Sequence, residues 1–390
     1  MPDPLLKAIS MGGAGVLRVD DHPNDYRLWG NREFHRGEGG CRWTKLWVSW
    51  YELQQDYKPT SRADSWNQLN TAPGGKNYLR RLDRQVRAAN DDGVKVILCL
   101  QQAFPTWSSG ATGSDPYSSK TPSQKIPSAL GYGSGYGWFI SHLSARYNGT
   151  ANSVGPRNPD ARTSSSFGNP DRALVQAIEV SNEPNALYWP QADIHKRAAE
   201  MLRCGEKCSY RWGRQRILGP GTLDSPDPPS SRPDVFTDWR TFTEGVLAEL
   251  ASFRPRVRVG FSAHNYRDVK YDALAATSRA RQVVDLLYAK NWLGAGGSRS
   301  LWLTEGGFNM GSSWQDSSTR RRQAEKIVAN YNEMLKVAGV VLWTQHVIND
   351  VTGNSFRSGL RDDFVYSPPG PGGKRPSYDA WCGLPVEGNR

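Results

Sequence analysis

Eight short apolar, β-prone runs recur along the chain, and helix-like segments separate most of them. The runs occupy residues 15–19, 44–50, 94–100, 174–181, 214–221, 257–264, 300–305 and 340–346. Most are nearly continuous in apolar residues, which indicates strands buried on both faces and paired in parallel. Helical periodicity follows at residues 79–93, 137–149, 192–204, 238–252, 271–291, 318–338 and 376–382. Eight such units predict an α/β fold of the (β/α)8, or TIM-barrel, type.

The chain is longer than this fold requires, since 390 residues exceed the ~250 of a typical barrel. We predict a single catalytic domain over residues 1–390, with the surplus in long loops. Glycine, serine and proline are frequent at 103–135, 148–172, 220–234 and 367–376. The first and third of these stretches follow strands, so we expect them on the catalytic face. The second follows a helix and is expected at the opposite end.

The net charge of +11 does not by itself indicate a nucleic-acid partner. Basic residues are interleaved with acidic ones in the helix-like segments 79–90 and 318–330, as on solvated helix faces. No window contains the roughly 18 uncharged apolar residues of a membrane span. The N-terminus lacks a basic start followed by an apolar core, so it does not resemble a secretion signal. We expect a cytoplasmic protein, or a secreted one whose leader has been removed.

The five cysteines cannot all be paired, because their number is odd. Cys99 lies in an apolar run and is predicted to be a buried thiol. Cys204 and Cys208 are compatible with a local disulfide in an exported protein or with half of a metal site. No second pair of potential ligands accompanies them, which speaks against a metal. We therefore predict neither a metal nor another cofactor.

Two glutamates end predicted strands on opposite sides of the barrel. Glu183 follows strand four within Asn182-Glu183-Pro184, and Glu305 ends strand seven. Active sites of such barrels lie at the C-terminal ends of the strands, so the two carboxyl groups can face each other. One could protonate a leaving oxygen while the other attacks the anomeric carbon, which is the chemistry of glycosidic bond cleavage. Repulsion between them would raise the pKa of one member.

Each motif alone is weak evidence. A glutamate before a proline is often an ordinary loop residue, and Gly-Gly after a strand is common turn chemistry. Their joint position at the ends of strands four and seven favours the catalytic interpretation.

The two motifs, in this order, resemble those of the clan A glycoside hydrolases, especially families 5 and 39. The resemblance extends from residues 44–50 to residues 374–385. It implies that Glu183 is the acid/base and Glu305 the nucleophile. It also implies that Asn182 binds the sugar 2-hydroxyl and the nucleophile, while Pro184 fixes the turn.

Further residues match family 5. His264 and Tyr266 resemble its His-x-Tyr motif, which implies that Tyr266 donates a hydrogen bond to the nucleophile and that His264 lines the site. Trp343 resembles the tryptophan beneath the sugar, where an aromatic face stacks on the C–H face of a pyranose. Packing in the barrel core is the alternative interpretation of Trp343.

The sequence also departs from the family 5 pattern. Lys45 stands where that family has an arginine near the nucleophile, and a lysine supplies a point charge rather than a fork of donors. Gln101 or Gln102 follows strand three, where the family often has a histidine.

Other residues have open roles. Trp50 and Trp107 are candidate sugar platforms near strand ends, and Trp47 is a weaker one. Three polar residues beyond strand eight could line the cleft: His346, Asn349 and Asp350. Asp20 and Asp21 could bind a remote hydroxyl or cap a helix.

Together these observations predict a retaining glycoside hydrolase that acts on a β-linked oligo- or polysaccharide through two glutamates. The alternative is a barrel that binds glycan without cleaving it, which Lys45 and the absent histidine would favour. A basic nucleic-acid-binding protein is a more distant third interpretation.

Overall fold

The computed structural model describes residues 4–11, 24–28, 30–55, 58–71, 73–101, 103–109, 125–149, 173–224, 236–292, 300–351, 353–363, 365–366 and 369–388. Eight parallel strands form its centre, in the order β1 to β8, and β1 also pairs with β8. The barrel is therefore closed, and the predicted (β/α)8 fold is confirmed. The barrel strands are β1 Leu5–Met11, β2 Trp43–Val48, β3 Lys95–Leu100, β4 Ala177–Glu179, β5 Arg216–Thr222, β6 Val259–His264, β7 Leu301–Glu305 and β8 Val340–His346.

Helices surround the barrel in the described part of the chain. They are α1 Asn31–Arg36, α2 Trp50–Gln54, α3 Arg62–Thr71, α4 Pro73–Asp91, α5 Gly135–Arg146, α6 Pro184–Leu187, α7 Ile194–Trp212, α8 Trp239–Glu249, α9 Tyr266–Lys270, α10 Arg279–Ala289, α11 Ser317–Leu335 and α12 Pro376–Cys382. Short strands follow β8: β9 Asn349–Asp350, β10 Arg361–Asp363, β11 Val365–Tyr366, β12 Pro369–Gly370 and β13 Glu387–Gly388. β13 pairs antiparallel with the start of β1. None of these helices is long and apolar enough to cross a membrane, as judged on the described residues.

The first strand of the barrel differs from the prediction. Leu5–Met11 forms it, whereas the sequence pattern suggested residues 15–19, which lie outside the described residues together with Asp20 and Asp21. Lys7 interrupts the apolar pattern of the true strand. Its buried ammonium donates to the carbonyl oxygens of Trp381 at 2.9 Å and Leu384 at 3.0 Å. The C-terminal segment thus satisfies a charge that masked the strand in the sequence.

The other seven strands were predicted correctly, with ends that differ by a few residues. The helix expected at 271–291 is shorter, since α10 begins at Arg279. Most of the expected long loops lie outside the described residues. Cys99 is a buried free thiol, as predicted, and Cys204 and Cys208 are thiols with their sulfur atoms 3.9 Å apart.

The interior of the barrel changes from apolar to polar along the strands. Trp43 on β2 and Trp302 on β7 meet edge to face, with ring centroids 5.1 Å apart, and Ala177 on β4 belongs to the same cluster. Side chains two residues apart share one face of a strand. The next inward positions are consequently Lys45, Glu179 and Thr304, which form a polar layer beneath the C-terminal mouth.

Candidate active site

The polar layer is a connected network of buried groups. The Lys45 ammonium lies 3.0 Å from Glu179 Oε2 and is fully buried. The Thr304 hydroxyl donates to Glu179 Oε1 at 2.7 Å. Burial opposes ionisation of Glu179, but the positive charge of Lys45 outweighs it and lowers the pKa of that carboxyl group. Lys45 and Glu179 therefore form a buried ion pair beneath the residues of the mouth.

Glu305 ends β7 above this network and is held by three groups. Lys45 Nζ lies 3.2 Å from Glu305 Oε2, the Tyr266 hydroxyl donates to Glu305 Oε1 at 2.5 Å, and His346 Nε2 lies 3.9 Å from Oε1. Burial raises the pKa of Glu305, yet Lys45, the two nearby histidines and Tyr266 together lower it to about 2. Glu305 is thus an ionised carboxylate at neutral pH.

Glu183 has an unusual backbone conformation for a non-glycine residue, with φ of 48° and ψ of 47°. Its N–H donates to the carbonyl oxygen of Gly221 at 2.9 Å, and Pro184 begins α6 directly after it. A left-handed conformation of this kind costs about 1 kcal/mol or more and is frequent at functional sites. It directs the carboxyl group toward β6, where Oε1 lies 2.7 Å from His264 Nδ1.

The two glutamates share one site. An oxygen of Glu183, an oxygen of Glu305 and a ring nitrogen of His264 all lie within 4.8 Å of one another. Lys45 supplies a positive charge to Glu305, and His264 Nδ1 shares a hydrogen bond with Glu183. Two carboxyl groups and an imidazole this close to one another can exchange protons and can act together on one bound molecule.

No protein-family model matches the sequence, and no curated protein matches it. Among solved structures the chain resembles Fpglu1 from Fervidobacterium pennivoraus, at 12% identity and a TM-score of 0.54, over 97% of this chain and 94% of that one. It also resembles a hyperthermophilic beta-glucosidase from Pyrococcus furiosus, at 13% identity and a TM-score of 0.52, over 98% and 95%. A third is GH5_18 from Streptomyces cattleya in complex with GlcNAc, at 14% identity and a TM-score of 0.52, over 98% and 80%.

The chain shares the (β/α)8 fold of these structures. At these identities the likeness concerns the fold alone.

At the mouth of the barrel, several predicted site residues lie together. Tyr266 makes the expected hydrogen bond to Glu305, and Lys45 contacts the same carboxylate. Asn182 is buried beside Cys99, whose sulfur lies 3.9 Å from Asn182 Oδ1. Gln101 is buried directly after β3, and Gln102 lies outside the described residues.

Trp343 does not line the site, which corrects the sequence-based expectation. Its side chain is fully buried and belongs to the cluster between the barrel and its helices. The indole N–H donates to Asn330 Oδ1 at 2.7 Å, and the ring stacks on Trp381 with centroids 5.4 Å apart. On β8 it is His346, three residues later, that faces Glu305.

Replacing Trp343 with phenylalanine should reduce stability without affecting sugar binding. The substitution removes one buried hydrogen bond and part of a packed ring, which we expect to cost about 1–3 kcal/mol. Chemical denaturation would measure this loss, and the KM for a cleaved glycoside should stay within about two-fold of wild type. A large rise in KM at unchanged stability would contradict the outward placement of the ring.

The prediction that Trp50 is a sugar platform is also wrong. It is 1% exposed, its ring stacks on Phe139, and its N–H donates to Gln54 Oε1 at 2.8 Å. Trp107 packs edge-on against Trp50 but stays partly exposed, so it remains a candidate platform. Trp47 faces the interior, where the Lys45 ammonium lies 4.4 Å from its ring centroid.

Two of the polar residues beyond β8 have structural partners. Asp350 forms an ion pair with Arg375 at 2.8 Å, and the backbone N–H of Asn349 donates to Asn24 at 3.0 Å. Only His346 of the three lies near Glu305.

Two further residues at this site were not predicted from the sequence. Glu179 looked like part of an apolar strand, although an acidic residue inside such a run was a usable signal. Phe356, in the loop after β9, is partly exposed and lies 5.1 Å from the ring of Tyr266 and 5.4 Å from that of His346. A lone aromatic residue in a loop gave no sequence signal.

Proposed function

We propose that this protein is a retaining glycoside hydrolase that cleaves a β-linked glycosidic bond. The observation that carries the proposal is the approach of a Glu183 oxygen to a Glu305 oxygen within 4.8 Å. Carboxyl groups about 5–5.5 Å apart act on one anomeric carbon directly, whereas inverting enzymes need about 6.5–9.5 Å to admit a water molecule.

In the first step a Glu305 oxygen attacks the anomeric carbon. The bond between that carbon and the leaving oxygen breaks, and the leaving oxygen takes the proton of Glu183. In the second step a water molecule attacks the same carbon, Glu183 accepts one of its protons, and the bond to Glu305 breaks. Configuration is inverted twice and so retained.

The assignment of roles follows from the surroundings of each carboxylate. Glu305 is kept ionised by Lys45 and Tyr266, as a nucleophile must be. Glu183 contacts no lysine or arginine among the described residues, and it shares a hydrogen bond with His264, an exchangeable proton carrier.

The substrate class is supported by aromatic groups near the mouth and by the fold. Phe356 and Trp107 are partly exposed, and aromatic faces of this kind stack on sugars. Two of the similar structures are named as a beta-glucosidase and a xylanase. We propose an oligo- or polysaccharide with β-linked sugars of this type.

A screen on chromogenic β-glycosides and polysaccharides, followed by NMR of the first anomer released, tests this function. We expect turnover of at least one β-glycoside with the β-anomer appearing first. Release of the α-anomer first would overturn the retaining mechanism, and hydrolysis of none of a broad set would overturn the activity.

The glycan-binding alternative rested on Lys45 and on the missing histidine after strand three. Lys45 contacts both Glu179 and Glu305, so the proposed nucleophile is still paired with a cation although the arginine is replaced by a lysine. Binding on a glycan array without turnover would be the result that favours this alternative.

Replacing Glu183 with alanine should separate its acid role from a structural one. A substrate with a poor leaving group needs protonation, and we expect its first-step rate to fall by about 10²–10⁴-fold. An aryl glycoside whose leaving group is an acidic phenol needs little protonation. The rate of its first step should therefore fall much less. Pre-steady-state release of the phenol measures this step, and equal losses on both substrates would contradict the acid role.

A further inference from the structure

An open pocket lies at the N-terminal end of the barrel, opposite to the mouth that holds Glu183 and Glu305. Several of its lining residues begin barrel strands or directly precede them, such as Trp43 at the start of β2 and Lys95 at the start of β3. The pocket encloses about 550 Å³, which is within the range of pockets that bind small molecules. The glycosidase mechanism proposed above uses none of this space.

The charge of the pocket is strongly one-sided. Five of its lining side chains are cationic and none is acidic; the cations are Lys95, Arg214, Arg216, Arg256 and Arg258. Glu206 lies nearby, but it forms an ion pair with the Arg256 guanidinium at 3.0 Å. The side chains of Lys95, Arg214 and Arg258 form no ion pair with a carboxylate in the part of the chain that the structure describes. The pocket therefore has an excess of positive charge.

Arg216 and Arg258 lie side by side in this pocket. The register of β5 and β6 places the two residues opposite each other on neighbouring strands, which lie about 4.8 Å apart. Leu218, two residues after Arg216, belongs to the apolar cluster inside the barrel. Gly260, two residues after Arg258, also faces the interior, because a Cβ there would lie 2.9 Å from the Trp302 ring. Side chains two residues apart share a face, so both arginines belong to the inner face of the barrel.

Two of the charged groups are located by the rings at the base of the barrel. Arg216 Cζ lies 4.7 Å from the centroid of a Trp302 ring, and Lys95 Nζ lies 5.5 Å from that of a Trp43 ring. The two tryptophans form the edge-to-face pair described above, so both cations lie over one aromatic base. An aromatic face attracts a cation but does not neutralise its charge. These positive charges are thus available to an anion in the pocket.

The arrangement of the cations favours a ligand with more than one anionic group. Like charges held this close repel each other, and a bound anion relieves the repulsion. Arginine forms paired hydrogen bonds with the oxygen atoms of phosphate and related oxyanions. The cations come from β3, from β5 and from the segments after α7 and before β6. Two or more oxyanion groups on one molecule contact more of them than a single group does.

We propose that this pocket binds a small molecule that carries two or more phosphate or sulfate groups. The ligand would enter from the N-terminal end of the barrel and would be held by Lys95, Arg216 and Arg258. The site contains none of the residues assigned to glycosidic bond cleavage. It therefore stands independently of the proposed function.

Isothermal titration calorimetry of the intact protein tests this site, with the ionic strength held constant by added potassium chloride. The probes are tripolyphosphate, a disaccharide with several sulfate groups, and inorganic phosphate. We expect at least one of the two polyanions to bind with a stoichiometry of one, about ten-fold or more tightly than inorganic phosphate. The tighter of the two polyanions identifies whether phosphate or sulfate groups are preferred.

A charge-matched pair of double variants locates the binding. Lys95→Gln/Arg258→Gln removes two exposed cations of the pocket, and we expect it to weaken binding of the polyanion by about ten-fold or more. Lys58→Gln/Arg321→Gln removes the same two charges at exposed positions that do not line the pocket, and its affinity should stay within about two-fold of wild type. Thermal unfolding without ligand controls for folding of both variants.

The proposal would be overturned if neither polyanion bound more tightly than inorganic phosphate, or if both double variants lost affinity equally. Binding of long polyanions such as nucleic acid, without binding of either small probe, would also overturn it, because a general surface charge would then explain the result. None of these measurements requires a glycoside. A protein that binds the polyanion in this pocket but cleaves no glycoside would refute the proposed function alone.

Discussion

Glu305→Ala is expected to reduce turnover by about 10⁴-fold or more, because no other described carboxylate can reach the anomeric carbon from its position. Glu179 is the nearest alternative, but it lies below the mouth with its oxygens engaged by Lys45 and Thr304. The variant should therefore lack the covalent step altogether rather than perform it slowly.

The measurement is steady-state turnover of an aryl glycoside, with thermal unfolding as the control for folding. The fold should survive, since Lys45 keeps its ion pair with Glu179 when Glu305 is lost. The space left by the side chain also admits a small anion. Added azide should restore release of the phenol and yield a glycosyl azide of inverted configuration.

Turnover near the wild-type rate in Glu305→Ala would contradict the assignment of the nucleophile. A variant that is inactive because it is unfolded would not test it, so Glu305→Gln serves as the matched variant. Glutamine preserves the shape and an acceptor for Tyr266 but is a poor nucleophile. Both variants should be similarly inactive with natural substrates.

The fold was predictable from the sequence because seven of the eight barrel strands are runs of mostly apolar residues. The pattern fails at β1, where Lys7 occupies a buried position. Its partners are carbonyl oxygens of Trp381 and Leu384, at the far end of the chain. A local pattern contains no information about such a long-range contact, so the strand was sought in residues 15–19 instead.

The pair Glu183 and Glu305 was predictable from the sequence for a different reason. Strand ends can be located in sequence, and the barrel brings all its C-terminal ends together. Which face a side chain takes is harder to read. In a strand buried on both faces, the inward and outward positions are equally apolar, so nothing in the sequence placed Trp343 outside the barrel.

Lys45→Met should strongly reduce both the stability of the protein and its activity. Lys45 lies 3.0 Å from Glu179 and 3.2 Å from Glu305, all three buried. Removing it leaves two carboxylates close together in the barrel without a cation. Loss of one partner from a buried ion pair costs about 3–5 kcal/mol, and we expect a loss of this size at pH 7.

The pH dependence of this loss has a definite sign. In wild type both carboxylates have lowered pKa values, and that of Glu305 is about 2. Their stabilising contribution is therefore complete above the unfolded value of about 4.3 and declines as the pH falls through the lowered folded-state values. Without Lys45 the folded-state pKa of at least one carboxylate rises instead. The Lys45→Met deficit should therefore shrink as the pH is lowered from 7 to 5, and the acid limb of the kcat/KM profile should move to higher pH.

The double variant Lys45→Met/Glu179→Gln separates a charge effect from a packing effect. With one carboxylate neutralised, much of the stability lost in Lys45→Met should return, and the coupling free energy measured by urea unfolding should be at least about 1 kcal/mol. Activity should return only in part, because Glu305 still lacks the cation that keeps it ionised. A double variant no more stable than Lys45→Met would show that Lys45 stabilises the barrel by packing and not by its charge. A group other than Lys45 would then have to keep Glu305 ionised.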